Sequence, residues 1–286
     1  MMKMVMMAAV FYGVVVQAAN ADPLDAYVAW SRGELKAAGL TRKMTDDGSV
    51  YWSGGRSEGK TLVLLHGVND QAGTWAAVVP ALSRDYRLII PDLAGHGESE
   101  PKTGPITYEL MLQRLHSILE HESVGKATIV GNSMGGWLAM LYALKHPEKV
   151  ERLVLEDSSG MAWDMTGVPL VPTNREEADR MMRAVHGPET KTSDEVLDAL
   201  LKRKNTPLSR FDLADVMQHF VDARLADLKV PVSLIWGHDD GILPLAYAKK
   251  LHERIPGSTL SIIDGAAHIP HRQQPVKFVQ CLKATC

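Results

Sequence analysis

Short apolar runs recur along this chain at 61–65 (TLVLL), 87–90 (RLII), 127–130 (ATIV), 150–155, 232–236 and 259–263. Between them lie stretches with helical periodicity at 73–83, 108–121, 134–146, 245–254 and 276–283. A strand that is apolar without interruption must be covered on both faces, which helices packed above and below a parallel sheet achieve. The alternation therefore predicts an α/β fold with a doubly wound, mostly parallel sheet and right-handed crossovers. Ahead of it, 22–36 reads as a surface helix, followed by two short strands around an Asp46-Asp47-Gly48-Ser49 turn.

One segment breaks the rhythm. From 161 to 228 there is no strand-like run, only amphipathic helical patterns such as 175–185 and 193–202, punctuated by Pro169, Pro172, Pro188 and Pro207. Such an insertion, rejoining the sheet at Lys229-Val230-Pro231, reads as a helical cap, with 22–160 and 229–286 forming the core. Residues 1–21 read separately: Lys3 gives a positive start, Val5 to Val16 an apolar stretch and Ala19-Asn20-Ala21 a small-x-small site. These are the parts of a signal peptide cleaved before Asp22, and the expected location is periplasmic or secreted. The apolar stretch is too short for a membrane span. Cys281 and Cys286 are the only cysteines. An oxidising compartment favours a bridge between them, provided that the last helix ends near Cys281. With 45% apolar residues and a net charge of −3, the chain is neither disordered nor built for nucleic acid.

Gly131-Asn132-Ser133-Met134-Gly135 is a G-x-S-x-G set directly between a strand and a helix. That placement lifts a serine hydroxyl out of the sheet on a strained turn, and the helix start aims unpaired N–H groups at developing negative charge. A serine needs a base, and of eleven histidines His268 lies just past the last strand, on the sheet edge where ligands bind in doubly wound folds. His271, after Pro270, reads as the start of the last helix. The base needs a carboxylate, and Asp239, Asp240 and Asp157 are all placed to supply one. An oxyanion hole needs two backbone donors: Met134 offers one, and the loop His66-Gly67-Val68-Asn69 makes Val68 the other. His66 and His96 read as loop-organising. No metal-ligand spacing is present, and no metal or cofactor is expected.

Leu65-His66-Gly67, Pro91-Asp92-Leu93-Ala94-Gly95-His96-Gly97-Glu98-Ser99, Gly131-Asn132-Ser133-Met134-Gly135-Gly136, Trp236-Gly237-x-x-Asp240 and the His268 loop together resemble the α/β-hydrolase superfamily over about 55–283. The resemblance implies the triad Ser133, Asp240 and His268. It selects Asp240 through the G-x-x-D spacing with Pro244 four residues on, while some relatives place an acid at the position of Asp157. The nucleophile motif and the cap's Val171-Pro172-Thr173-Asn174-Arg175-Glu176-Glu177 resemble the monoacylglycerol-lipase-like and bacterial lipase/esterase branch. Two departures stand out: that family often has Glu where Gln273 stands, and the loop after Gly67 is Val68-Asn69-Asp70 rather than glycine-rich.

The resemblance implies a serine hydrolase cleaving carboxylic esters, a carboxylesterase or acylglycerol lipase. Its partners would be a small-molecule ester or acylglycerol, with transient contact with lipid surfaces, and Met161 and Trp163 would line the acyl pocket. A serine at this position excludes dehalogenases and epoxide hydrolases, which use aspartate there. Carbon–carbon bond hydrolases of the meta-cleavage-product type share G-N-S-M-G-G, but usually carry Trp where this chain has Ile269, and act on cytosolic metabolites. A non-catalytic binding protein on the same scaffold would be expected to lack a triad member, and none is missing.

Overall fold

The computed structural model describes residues 22–164 and 167–285. The signal peptide and the Cys281–Cys286 bridge expected from the sequence fall outside those residues, the first wholly and the second through Cys286. The chain enters through helix α1 (Pro23–Ala37), capped by the Asp22 carboxylate, and a hairpin of β1 (Thr41–Met44) and β2 (Val50–Gly55). Then follow β3 (Thr61–Leu65), a 3-10 turn (Ala72–Ala77), α2 (Val79–Leu82), β4 (Arg87–Pro91), α3 (Tyr108–His121), β5 (Ala127–Asn132), α4 (Met134–Lys145) and β6 (Val150–Glu156). The helix expected over 73–83 is thus broken in two. Pro80 has no N–H to give and is tolerated only in a first turn, so the helix restarts at Val79.

Between β6 and β7 (Val232–Gly237) run α5 (Arg175–His186), α6 (Asp194–Lys202) and α7 (Leu213–Gln218), with 3-10 turns at Pro207–Arg210 and Asp222–Asp227. The chain closes with α8 (Leu245–Arg254), β8 (Thr259–Ile263), α9 (Pro270–Gln273) and α10 (Pro275–Thr285). The eight strands form one sheet in the order β1-β2-β4-β3-β5-β6-β7-β8. β1, β2 and β4 pair antiparallel, and β4 through β8 in that spatial order are parallel.

Because side chains alternate across a strand, each apolar run feeds two cores. Val63, Leu65, Ile129, Leu153, Leu155 and Trp236 face α3, α4 and α8. Leu62, Leu64, Val130, Val154 and Ile235 face Leu35 of α1, Trp75, and Phe278 and Leu282 of α10. The winding reverses at β3, which has β4 on one side and β5 on the other, so a crevice opens beyond the C-terminal ends of β3 and β5.

The helical insertion is stitched to the core along its second half. Arg210 gives hydrogen bonds to the carbonyls of Gly95, Pro101 and Gly104. Asp215 accepts the Tyr108 N–H at 3.0 Å, and the Trp137 indole donates to the His219 carbonyl at 2.8 Å.

Candidate active site

Each residue singled out for chemistry sits just past the C-terminal end of a parallel strand: Val68 after β3, Ser133 after β5, Asp157 after β6, Asp240 after β7 and His268 after β8. One edge of the sheet therefore collects them, although they span two hundred residues of sequence.

Ser133 has φ 53° and ψ −121°, a strained conformation for a residue with a Cβ. Two close approaches hold it. Its N–H donates to the Glu156 carbonyl at 3.0 Å, and its carbonyl accepts from Gly136, Trp137 and Ser159. The flanking glycines are required by contact: a Cβ on Gly131 would lie 2.4 Å from the Gly135 backbone, and one on Gly135 would lie 2.4 Å from the Leu65 carbonyl oxygen. The Ser133 hydroxyl makes no bond to its own helix and is half-buried. It forms no hydrogen bond with His268 among the described residues, a contact that in resting enzymes often closes only with substrate in place.

His268 and Asp240 are joined. The ring Nδ1 lies 2.9 Å from Asp240 Oδ2, and both side chains are buried. A carboxylate only accepts, so Nδ1 carries the proton and Nε2 presents a lone pair. Asp240 is fixed in turn by the N–H groups of Ile242 and Leu243 on Oδ1, at 2.8 and 3.0 Å. Asp239, the neighbouring candidate, is exposed and pairs with His238 instead.

Asp157 is also buried beside this pair. Its Oδ1 accepts the Gly237 N–H at 3.0 Å, whereas its Oδ2 has no hydrogen-bond partner among the described residues. Burial, and then the charge of Asp240, hold its carboxyl well above the usual carboxylate range. The shift favours a protonated Asp157 beside Asp240 over a second anion for the histidine. Ligand-type atoms of Asp157, Asp240 and His268 lie within 4.8 Å of one another. Most of their acceptor positions are already taken by N–H donors, which makes this trio a proton-sharing chain before a cation site.

The loop after β3 touches the serine: a Cβ on Gly67 would stand 3.2 Å from that of Ser133. His66 shapes this loop, its Nδ1 at 2.7 Å from the Gly67 carbonyl and its Nε2 accepting the Leu93 N–H at 2.9 Å. Its neighbour His96 is pushed down to about 3 by burial and by His66. The N–H of Met134 belongs to the first turn of α4 and has no intrahelical acceptor. Met161 and Trp163 sit at Tyr247 of α8: the Met161 N–H donates to the Tyr247 hydroxyl at 2.7 Å, and the Trp163 ring meets that ring edge-on at 5.4 Å. A cavity of about 690 Å³ opens between α5 and the loop bearing Asp240, lined by Val168, Ala184, Asp240 and Leu245 but by neither Ser133 nor His268.

Two positions that sequence reasoning missed organise the edge. Glu156, the last residue of β6, receives His271 through its N–H at 2.7 Å and its ring at 2.8 Å, and the other ring nitrogen lies 3.0 Å from the Thr74 hydroxyl. His271 does not begin the last helix: it stands on the short helix α9, fully buried against Trp75. The same Glu156 holds the Ser133 N–H through its carbonyl, so it ties the Ser133 turn to the loop bearing His268. Asn132 does likewise, its side-chain amide donating to the His268 carbonyl at 2.9 Å. For Glu156 the only signal was an acid directly after the apolar run Leu153-Val154-Leu155, and for Asn132 only its place in the G-x-S-x-G motif.

Comparison with known proteins agrees with this architecture. Residues 60–204 match the family model described as alpha/beta hydrolase fold. Lipase 1 of Psychrobacter immobilis is 28% identical over 84% of this chain and 80% of its own length. A 2-hydroxy-6-oxo-2,4-heptadienoate hydrolase of Pseudomonas putida is 28% identical over 78% of this chain and 87% of its own. Among solved structures, a bacterial membrane phospholipase A superposes with a TM-score of 0.76 at 22% identity, covering 100% of this chain and 98% of that one. The sheet that reverses at β3, the helices on both of its faces and the match over just over half the chain have one reading: this chain is a hydrolase of the α/β-hydrolase fold family.

Proposed function

We propose that the chain is a serine hydrolase of carboxylic esters, a carboxylesterase or acylglycerol lipase, working through an acyl-enzyme. The observation that carries this reading is the buried His268–Asp240 pair, 2.9 Å apart, on the same sheet edge as a serine held at φ 53° at a helix start. Ser133 Oγ attacks the ester carbonyl carbon while His268 Nε2 takes its proton, and Asp240 stabilises the imidazolium. The N–H groups of Met134 and Val68 receive the oxyanion, and each is worth about 2.7–4 kcal/mol in sites of this kind. The alcohol leaves with the proton from His268. Water then enters, gives its proton to the same nitrogen and releases the acid. Met161 and Trp163 are proposed to border the acyl chain, and the helices of 161–228 to cover it.

The lipase relative supports ester chemistry, and the dienoate hydrolase relative keeps carbon–carbon cleavage as the second reading. Esters with two to sixteen acyl carbons and a ring-cleavage dienoate, assayed side by side, separate the two. Ester turnover that disappears in Ser133→Ala, with an unchanged melting temperature, is the expected result. Undiminished ester turnover in that folded variant, or turnover of the dienoate alone, contradicts it. We further propose export with cleavage before Asp22; N-terminal sequencing of material outside the cytosol should begin at Asp22, and an intact Met1 in that material contradicts it.

A further inference from the structure

The four final carbonyls of a helix have no intrahelical donors and must find partners elsewhere. In α5 the first of them, Arg183, is met locally by the N–H of Gly187, at 2.9 Å. The other three are met by the site. The Ala184 carbonyl accepts from the Gly241 N–H at 3.0 Å, one residue past Asp240, and the Val185 carbonyl accepts from the N–H of His268 itself at 3.1 Å. The His186 carbonyl accepts from the Gln273 side-chain amide at 2.7 Å, and the carbonyl oxygen of that same amide accepts the Ala267 N–H at 2.8 Å.

Gln273 therefore spans the end of the insertion's helix and the residue before the base, using both halves of its amide. No other uncharged side chain of that length both gives and accepts in this way. The backbone of His268 is gripped on its two sides, by α5 at the N–H and by the Asn132 amide at the C=O. Elsewhere α5 is held by the buried Ala178, by Ala184 and Val185 against the core, and by Arg175 on Asp194 and Asp198 of α6. Its carbonyl end, the negative end of the helix dipole, meets the backbone N–H of the residue whose imidazole must become a cation during turnover.

Resting on the ester-hydrolase reading above, we propose that Gln273 is a positioning residue that clamps the C-terminal end of α5 to the loop of the base, so that His268 and Asp240 are in register only while that helix is seated. The clamp acts on the base and not on the acyl chain, so its loss should appear in kcat more than in KM.

The experiment compares Gln273→Glu and Gln273→Met with the wild type in ester kinetics, melting and residue-resolved amide hydrogen exchange. Gln273→Glu keeps the acceptor for Ala267 but turns a second acceptor toward the His186 carbonyl, and Gln273→Met removes both bonds. The expected result is a fall in kcat of about ten- to a hundredfold in Gln273→Met, the range for an orphaned buried partner, and a smaller fall in Gln273→Glu, which keeps one bond and is the residue the family often has here, with KM within about threefold in both. Amide protection of Gly241 and His268 should fall in step. Folded variants with wild-type kcat and unchanged protection at His268 overturn the clamp. Exchange in the wild type decides the matter even where the variants fail to fold. The amides of Gly241 and His268 should open together with the last turn of α5, and a His268 amide that exchanges a hundredfold faster than that turn overturns the proposal. Absence of any ester turnover in the wild type would sink the functional reading, while the exchange data still test the clamp.

Discussion

Asp240 and Asp157 are buried side by side, yet their surroundings differ in kind. Asp240 accepts three N–H donors, one of them from His268, as an ionised carboxylate should. Asp157 has a single donor and a carboxyl that burial and the Asp240 charge keep protonated, so its proton is left to bridge toward Asp240. The two substitutions should part company. Asp240→Asn, which reverses the polarity seen by Nδ1, should lower kcat by about 10⁴-fold, as in comparable triads. Asp157→Asn keeps a neutral donor in place and should leave kcat within about threefold. Steady-state kinetics on a short-chain ester checks both, and a loss in Asp157→Asn equal to that in Asp240→Asn would transfer the acid's role to Asp157.

Among elements, the strand–turn–helix unit β5–Ser133–α4 is the most constrained. Gly131 and Gly135 are where a strand, a helix start and the end of β3 come within contact of one another. Gly135→Ala must push a Cβ into the Leu65 carbonyl, 2.4 Å away. It should cost about 3 kcal/mol or more, read as a lowered urea midpoint, where a tolerated exchange would mean that β3 and α4 stand further apart. At the start of α5, the Asn174 side chain accepts the Glu177 N–H at 3.0 Å. Asn174→Ala should cost about 1 kcal/mol, seen as faster proteolysis within 161–228 at unchanged global melting; an unchanged proteolysis rate would show that this cap bears no load. These local units were legible because their causes are local: uninterrupted apolar runs and a helix-start serine; the break ahead of Pro80, inside the helix expected over 73–83, was not. What the sequence could not reveal is pairing across the fold. Glu156 finds His271 from 115 positions away, and Gln273 meets His186 from 87. Each is an ordinary polar letter until the sheet edge brings the loops together. A family spacing separated Asp240 from Asp239, whereas what separates Asp240 from Asp157 lies in donors that only the folded loops supply.

Over the whole molecule, acid stability carries a signature of buried neutral groups. Burial pushes His96 and His186 down to about 3, the first helped by His66 and the second by Arg272 and His268. An unfolded histidine takes its proton near 6.5, so below that pH the unfolded chain binds more protons and stability falls, by about 1.4 kcal/mol per pH unit for each histidine. Asp157 has the opposite sign: it is protonated when folded and ionised when unfolded, so its contribution grows as the pH falls toward its unfolded value of 3.8. Asp157 thus offsets part of the loss that the two histidines bring. Urea unfolding should therefore lose stability as the pH falls from about 6 to 4.5, and the slope should steepen in Asp157→Asn. A flat profile would mean that the histidines are not buried as neutral rings.

The central claim is that one hydroxyl, on the turn after β5, is the nucleophile that His268 activates. Labelling the purified chain with a fluorophosphonate and mapping the adduct by peptide mass spectrometry tests it most directly. One adduct is expected, on Ser133, absent in Ser133→Ala and formed far more slowly in His268→Ala. An unlabelled wild type, or an adduct on any other serine, would contradict it.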